Sequence, residues 1–366
     1  MKAWSRKTAR APTAADVRGI VVDPGAPFDS GTGLAPLMWR EAPDPEPGPD
    51  EVLIAIRAAG VNRADLMQRA GRYPPPPGAS DVLGLEAAGT VVSVGRDVRH
   101  VRVGARVCTL LPGGGYATHV VAPASLVIPL WDGFDDMQAA ALPEVFMTAY
   151  AALFDDGGAK AGQTVLVHAA ASGVGTAVIQ LAREAGCHVI ATCGGPAKVA
   201  ACRHLGAMLA VDRHENDFET VIRDMVPADQ GRHVGPGGAG VVGSVDVIVD
   251  MVGRSYFDQN LRLLAVGGRL VFVAAQSGPD VALSIYDLTS KRAHLVGTTL
   301  RARSVSEKVA LRDGLMERFG ADLHDGTIVP VVDSTFPIDR VEEAHARMLA
   351  NDNIGKIVLT IDDSTA

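Results

Sequence analysis

The chain has 366 residues, enough for about two domains with full cores. Its 47% hydrophobic and 21% charged content argues against long disorder and against a membrane protein, and 34 basic against 42 acidic residues, net −8, give no general electrostatic pull toward nucleic acid or an anionic bilayer. The four cysteines, at 108, 187, 193 and 202, form no CxxC pair and read as thiols of a reducing, cytoplasmic compartment, while the 40 glycines fall mostly at the ends of apolar runs.

In chain order, residues 1–16 come first, with Lys2, Arg6, Lys7 and Arg10 and no acidic residue before Asp16. They lack the apolar stretch of a secretory signal and read as a disordered basic extension rather than a targeting segment. From 17 to 143, short β-branched runs such as GIVV, EVLIAIRAAGV, AAGTVVSVG, ARVCTLL and YATHVVAP predict a mainly β domain, with Pro-rich loops at 43–51 and 73–78. From 144 to 301, helix and strand alternate. AALPEVFMTAYAALF reads as helix, VLVHA as strand, GVGTAVIQLAREAG as helix, HVIATC as strand, KVAACRHLGA as helix and LAVD as strand. VDVIVDMV then reads as strand, SYFDQNLRLLAV as helix and RLVFVAA as strand. Nearly all-apolar strands of this kind predict an α/β domain with a doubly wound parallel sheet. Gly/Pro-rich residues 227–244 read as a surface insertion. The remainder, 302–366, predicts a helix from about 305, a strand, a capped helix beginning near Asp339 and a last strand. No apolar run reaches the roughly 18–20 residues of a spanning helix.

The most informative segment is VLVHAAASGVGTAVIQLAREAG, a strand, a small-residue turn and a helix. A GxGxxG pattern would place its glycines at Ala170, Ser172 and Gly175. Only Gly175 is present, with Gly173 added beside Val174. A turn of this type holds a dinucleotide pyrophosphate on a helix N-terminus, or else is only a structural βα turn. The next strand ends Thr192-Cys193-Gly194-Gly195 without the carboxylate that NAD-preferring sites carry, and Lys198 and Arg213 follow. This cationic, carboxylate-free pocket suits the 2′-phosphate of NADPH. The alternative is that both cations are ordinary solvated surface charges.

GVNRADLMQRAGRYPPPPGASDVLGLEAAGTVVSVG (60–95), LLPGGGYATHV (110–120), LPEVFMTAY (142–150), HAAASGVGTAVIQLA (168–182) and NIGKIVL (353–359) together resemble the zinc-independent quinone oxidoreductases of the medium-chain dehydrogenase/reductase superfamily, most of all the tumour-suppressor-induced subgroup. The resemblance runs from about 17 to 361. It implies a GroES-like catalytic domain (17–143 and 302–366) and a Rossmann domain (144–301), with NADPH in the cleft between them and a homodimer formed by pairing the edges of the Rossmann sheets. It also implies that Asn62, Arg63, Asp65 and Tyr73 line the cleft. Cofactor contacts are implied for Thr148, Ser172, Gly173, Val174, Gly175, Gly194, Gly195, Lys198, Arg213, Val252, Gly253, Ala275, Gln276, Ser277, Asn353 and Lys356. Family members often have Tyr where this chain has Arg213, which weakens adenine stacking and strengthens phosphate binding there.

Zinc-dependent relatives need thiolate and imidazole ligands. Asn62 and Arg63 stand where a ligand cysteine would occur and Leu85 where a ligand histidine would, so no metal site is expected. Glu86, His119 and His168 are read as structural groups. Without a Lewis acid, an acceptor that spreads negative charge through a π system is favoured. The expected reaction is hydride transfer from NADPH to quinones or conjugated enones. Tyr73 is the first candidate donor to substrate and Asn62 the second, with packing beside the prolines as the competing role of Tyr73. The rival functions are an enoyl-thioester or alkenal double-bond reductase and a non-catalytic NADPH-binding regulator. Small-molecule substrate and a second copy are the expected partners, with no nucleic acid and no membrane.

Overall fold

A computed structural model describes residues 18–23, 25–41, 45–225 and 245–361. The basic extension expected at 1–16 and the insertion expected at 227–244 lie outside the described residues. The chain divides into two units. One runs to Leu130 and takes in Phe336–His345 and the chain from Leu359; the other comprises Trp131–Thr335 and Ala346–Val358.

The first unit opens with the antiparallel pair β1 (Arg18–Val22) and β2 (Leu37–Glu41). Next come β3 (Glu51–Val61), α1 (Arg63–Arg69), β4 (Glu86–Val94), β5 (Arg106–Leu110), β6 (His119–Pro123) and β7 (Ile128–Pro129). Burial alternates along the first half of β3, the period-2 signature that its sequence predicts. Helix α1 was not foreseen. Asn62 stands at its N-cap, and the Asp65 carboxylate accepts the Asn62 backbone N–H at 2.7 Å.

The second unit continues with α2 (Asp136–Ala140), α3 (Pro143–Tyr150), β8 (Thr164–Val167), α4 (Gly173–Glu184), β9 (His188–Cys193), α5 (Pro196–His204) and β10 (Leu209–Asp212). Then come α6 (Phe218–Met225), β11 (Val245–Asp250), α7 (Phe257–Leu263), β12 (Leu264–Phe272), α8 (Ile285–Lys291), β13 (His294–Gly297) and α9 (Val305–Asp325). The chain closes with β14 (Val332–Pro337), α10 (Val341–Ala350) and β15 (Lys356–Thr360). Strands β10-β9-β8-β11-β12-β13 form one sheet with every pair parallel. Strand order reverses between β8 and β11, so this is the doubly wound α/β domain that the sequence predicts. A mainly antiparallel sheet, β14-β15-β3-β4-β5-β7 with β6 also on β3, accompanies it. The helix expected over SYFDQNLRLLAV stops at Leu263. Leu264 and Ala265, fully buried, already belong to β12, with Leu264 in register with Val245. No helix among the described residues is long and apolar enough to cross a membrane.

Within the first unit a buried polar cluster ties α1 to α10. The Arg69 guanidinium donates to the Ala35 carbonyl, meets Glu342 at 2.6 Å and lies 3.3 Å from His345 Nδ1. The Tyr116 hydroxyl donates to Asp65 at 2.8 Å. Burial, with Arg69 beside it, pushes the His345 imidazole down to about 3. His345 is therefore neutral when folded and takes up a proton near pH 6.5 when unfolded. Its contribution to stability is complete above pH 6.5 and is lost as pH falls toward 3, at about 1.4 kcal/mol per pH unit. Denaturant titrations at pH 7 and pH 5 should therefore show the wild type losing about 2 kcal/mol more than His345→Gln. Equal losses in the two proteins would refute the assignment.

Candidate functional site

The fully buried strand β8 leads through His168 and Ala169, whose φ of 48° is left-handed, into the turn before α4. Ser172 caps the 12-residue helix α4 by accepting the Gly175 N–H at 3.1 Å. A Cβ on Gly175 would lie 2.5–2.6 Å from backbone atoms of Ala170, and one on Gly173 would lie 2.7 Å from Lys356 Cδ. Only glycine lets the helix start so close to the strand end. The turn is fastened on both sides: Ala170 donates to the Thr192 carbonyl at 3.0 Å, and Gly355 donates to Ala171 at 2.8 Å. First-turn N–H groups and the helix dipole together make such an end suited to an anion.

Most of the other predicted contacts in this unit gather at the carboxyl ends of neighbouring parallel strands, where the strand order reverses and open α/β sheets bind ligands. Gly194 and Gly195 follow β9. Val252 and Gly253 follow β11, their N–H groups donating to Asp250 at 2.6 and 3.1 Å. Ser277, beyond β12, donates its hydroxyl to the Val252 carbonyl at 2.7 Å, which ties the Ala275-Gln276-Ser277 segment to that loop. Thr148 is buried on α3. Asn353 closes a turn through its amide to the Gly355 carbonyl at 2.7 Å, and Lys356 is buried beside Gly173. Lys198 donates its ammonium to the Asn351 carbonyl.

The expectation of a carboxylate-free pocket fails. Asp212, at the end of β10, accepts the N–H groups of Gly195 and His214, both at 3.0 Å. Those two backbone bonds hold its carboxyl below the usual range, with His214 and Arg213 contributing. Two side chains, one of them the Arg213 guanidinium, lie beside it. A Cβ on Gly194 would lie 2.5 Å from His214 Nε2 and 3.2 Å from Arg213 Nε, so both chains lie across that glycine. Burial raises the pKa of the Tyr256 phenol, and the nearby Arg213 draws it back down. Residues 213–218, Tyr256 and Gln259 line an open hollow of about 380 Å³. Asp212, His214 and Tyr256 are thus additions to the sequence-derived set. The LAVD strand end was the available signal for the first.

In the first unit, Asn62 is buried. Its amide nitrogen donates to Glu86 Oε1 at 2.9 Å and to the Gly60 carbonyl at 3.3 Å. Glu86 is wholly buried, in keeping with a structural role. Arg63 is part-buried, and desolvation lowers its pKa. Asp65 caps α1 as described, and Tyr73 is half-buried in the loop that follows α1.

Two family models match the chain: an alcohol dehydrogenase GroES-like domain over residues 48–132 and a zinc-binding dehydrogenase over 173–313. A quinone oxidoreductase of Rattus norvegicus is 30% identical over 319 residues, covering 87% of this chain and 91% of that one. The chain belongs to the medium-chain dehydrogenase/reductase superfamily. Within the superfamily, a mycobacterial protein solved in complex with NADPH has 30% identity and a TM-score of 0.76, covering 94% of this chain and 99% of that one. The polyketide synthase GfsB of Streptomyces halstedii is 36% identical over 331 residues, covering 90% of this chain. The chain spans 5% of that synthase and 9% of a second polyketide synthase component.

The superfamily implies a nicotinamide dinucleotide, and the residues present fit one. Side chains are excluded where a pyrophosphate would approach α4, and a Cβ on Gly195 would meet nothing within 4 Å, leaving open space above the end of β9. A resident zinc is not matched in the same way. Among the described residues no group of three or more His, Cys, Asp or Glu side chains is placed to hold a metal ion.

Proposed function

We propose that the protein is an NADPH-dependent reductase of quinones or related α,β-unsaturated carbonyls, of the tumour-suppressor-induced subgroup, working without zinc. The observation that carries this reading is the glycine-lined anion site at the sheet's switch point, with Arg213 and His214 lying across Gly194 where a 2′-phosphate would bind. The relative solved with NADPH supports the same cofactor. Bound NADPH supplies the hydride. The N-terminus of α4 holds its pyrophosphate, and Ser172, Gly173, Val174 and Gly175 shape that seat. Thr148, Gly194, Gly195, Lys198, Arg213, Val252, Gly253, Ala275, Gln276, Ser277, Asn353 and Lys356 are the proposed cofactor contacts of this unit.

Tyr73 is the proposed donor to the acceptor oxygen. Asn62 becomes a positioning residue, because both of its amide N–H bonds already go to Glu86 and Gly60. Arg63 and Asp65 support it from α1. A quinone delocalises the incoming charge, so orientation and a few hydrogen bonds suffice. The proposed homodimer forms along β13, at the end of the parallel sheet. Val281, Leu283, Ile285 and Tyr286 lie exposed in the segment before it, the last two at 74%.

The 36% match within a polyketide synthase favours one second reading, an enoyl-thioester reductase. NADPH oxidation with a panel of ortho- and para-quinones, enones, enoyl thioesters and simple ketones separates the two. Quinones and enones are expected to turn over fastest. Preference for enoyl thioesters selects the second reading, and turnover of simple ketones alone overturns both.

A further inference from the structure

Beneath the candidate site lies a buried polar relay that joins three strand ends. His168 follows β8, Thr192 lies near the end of β9, and Asp250 ends β11. Asn260 on α7 completes the chain. His168 Nδ1 is 2.8 Å from the Thr192 hydroxyl, and Nε2 is 2.7 Å from Asn260 Oδ1. Asn260 Nδ2 donates to Asp250 Oδ2 at 3.1 Å, while Asp250 Oδ1 takes the Val252 and Gly253 N–H groups. All four side chains are at most 1% exposed.

Asp250 fixes the direction of every bond. An ionised carboxylate only accepts, and three N–H donors converge on this one. The Asn260 amide must therefore present its nitrogen to Asp250 and its oxygen to His168. That oxygen can only accept, so His168 carries its proton on Nε2 and accepts the Thr192 hydroxyl at Nδ1. Burial lowers the imidazole's pKa while Asp250 and Asn260 pull it back up, and the lowered value keeps the ring neutral. Phe218 and Tyr256 pack edge-on against the ring, at 5.1 and 4.8 Å between centroids.

We propose that His168, held as the neutral Nε2–H tautomer, is the positioning residue that sets the spacing of the three cofactor-binding loops at 169–172, 193–195 and 250–253. An apolar side chain could fill the same volume, but it would fix neither the distance nor the register between these strand ends. The inference rests on the NADPH reading above, and it adds a residue that touches no cofactor atom.

Two measurements test it. Nitrogen-15 spectra of the whole protein at pH 8 should show His168 protonated on Nε2 and bare at Nδ1. This readout needs no cofactor, so it stands even if NADPH fails to bind. An Nδ1–H tautomer overturns the proposal. In the second, Thr192→Val removes one donor with little change of shape. It should raise the KM for NADPH about tenfold while kcat at saturating NADPH stays within about twofold of wild type, and Thr192→Ser should restore the KM. A fall in kcat at unchanged KM, as from a smaller folded fraction, refutes the positioning role. If the wild type binds no NADPH, the cofactor reading fails, and the spectra alone then decide the tautomer.

Discussion

Gly175→Ala is expected to weaken NADPH binding at least about a hundredfold and to cost about 3 kcal/mol of stability. The added methyl group would sit 2.5–2.6 Å from the carbonyl oxygen, carbonyl carbon and Cα of Ala170. These are backbone atoms, and the turn that holds them cannot yield cheaply. Ala170 is bonded to Thr192, Ala171 to Gly355, and Ala169 already sits at a left-handed φ. Relief must come from moving the start of α4, the element proposed to hold the pyrophosphate. Two neighbouring substitutions give a graded control. Gly173→Ala meets Lys356 Cδ at 2.7 Å and Val145 Cγ1 at 3.0 Å, which are side-chain atoms and can shift, so its effect should be intermediate. Gly195→Ala meets nothing within 4 Å but must hold a φ of +85°, and it should cost only about 1–2 kcal/mol. Isothermal titration with NADPH and denaturant melts on the three variants check the ranking, and equal effects at 175 and 195 would show that the close approach is not what matters.

Arg69→Met should destabilise the first unit by about 3 kcal/mol. The loss does not come mainly from Glu342, whose side chain is 53% exposed and can turn to water. It comes from the Ala35 carbonyl and from His345 Nδ1, which face the guanidinium inside the protein. The same substitution removes a positive charge from beside the imidazole, so the His345 pKa should rise. The acid-side loss of stability should still begin near pH 6.5, but it should end at a higher pH and be smaller in total. A melt showing less than about 1 kcal/mol of change would mean that water replaces the guanidinium.

The parallel sheet was legible because its strands are nearly all apolar and its helices amphipathic, two periods that survive without tertiary information. The Ser172–Gly175 turn was legible for the same reason, as small residues between a clear strand and a clear helix. Helix α1 was missed because GVNRADLMQRAG reads as a connection between strands, although Asn62 and Asp65 have the spacing of a cap. The helical period of SYFDQNLRLLAV was followed past Leu263, since a leucine next in line suits helix and strand alike; pairing with Val245 decided for strand. The sequence shows His168 as a structural group but not its partners, because they lie 24 and 92 residues away. Asp212 was not legible as a site residue because it ends a different strand from the one that leads to Gly194 and Gly195. The sequence shows the end of β9 without a carboxylate, but not that β10 brings one to the same place.

Ser172 forms a bridge with Gly355, and Lys198 reaches the carbonyl of Asn351. The seat proposed for the pyrophosphate is thus buttressed by residues more than 150 positions further along the chain. During synthesis the strand, turn and helix from 164 to 184 emerge long before that buttress exists. The nascent parallel sheet can assemble first, but the edge proposed to face the ligand reaches final shape only after residues 351–356 have left the ribosome. A truncation that spares every strand of the parallel sheet would still leave this edge unfinished.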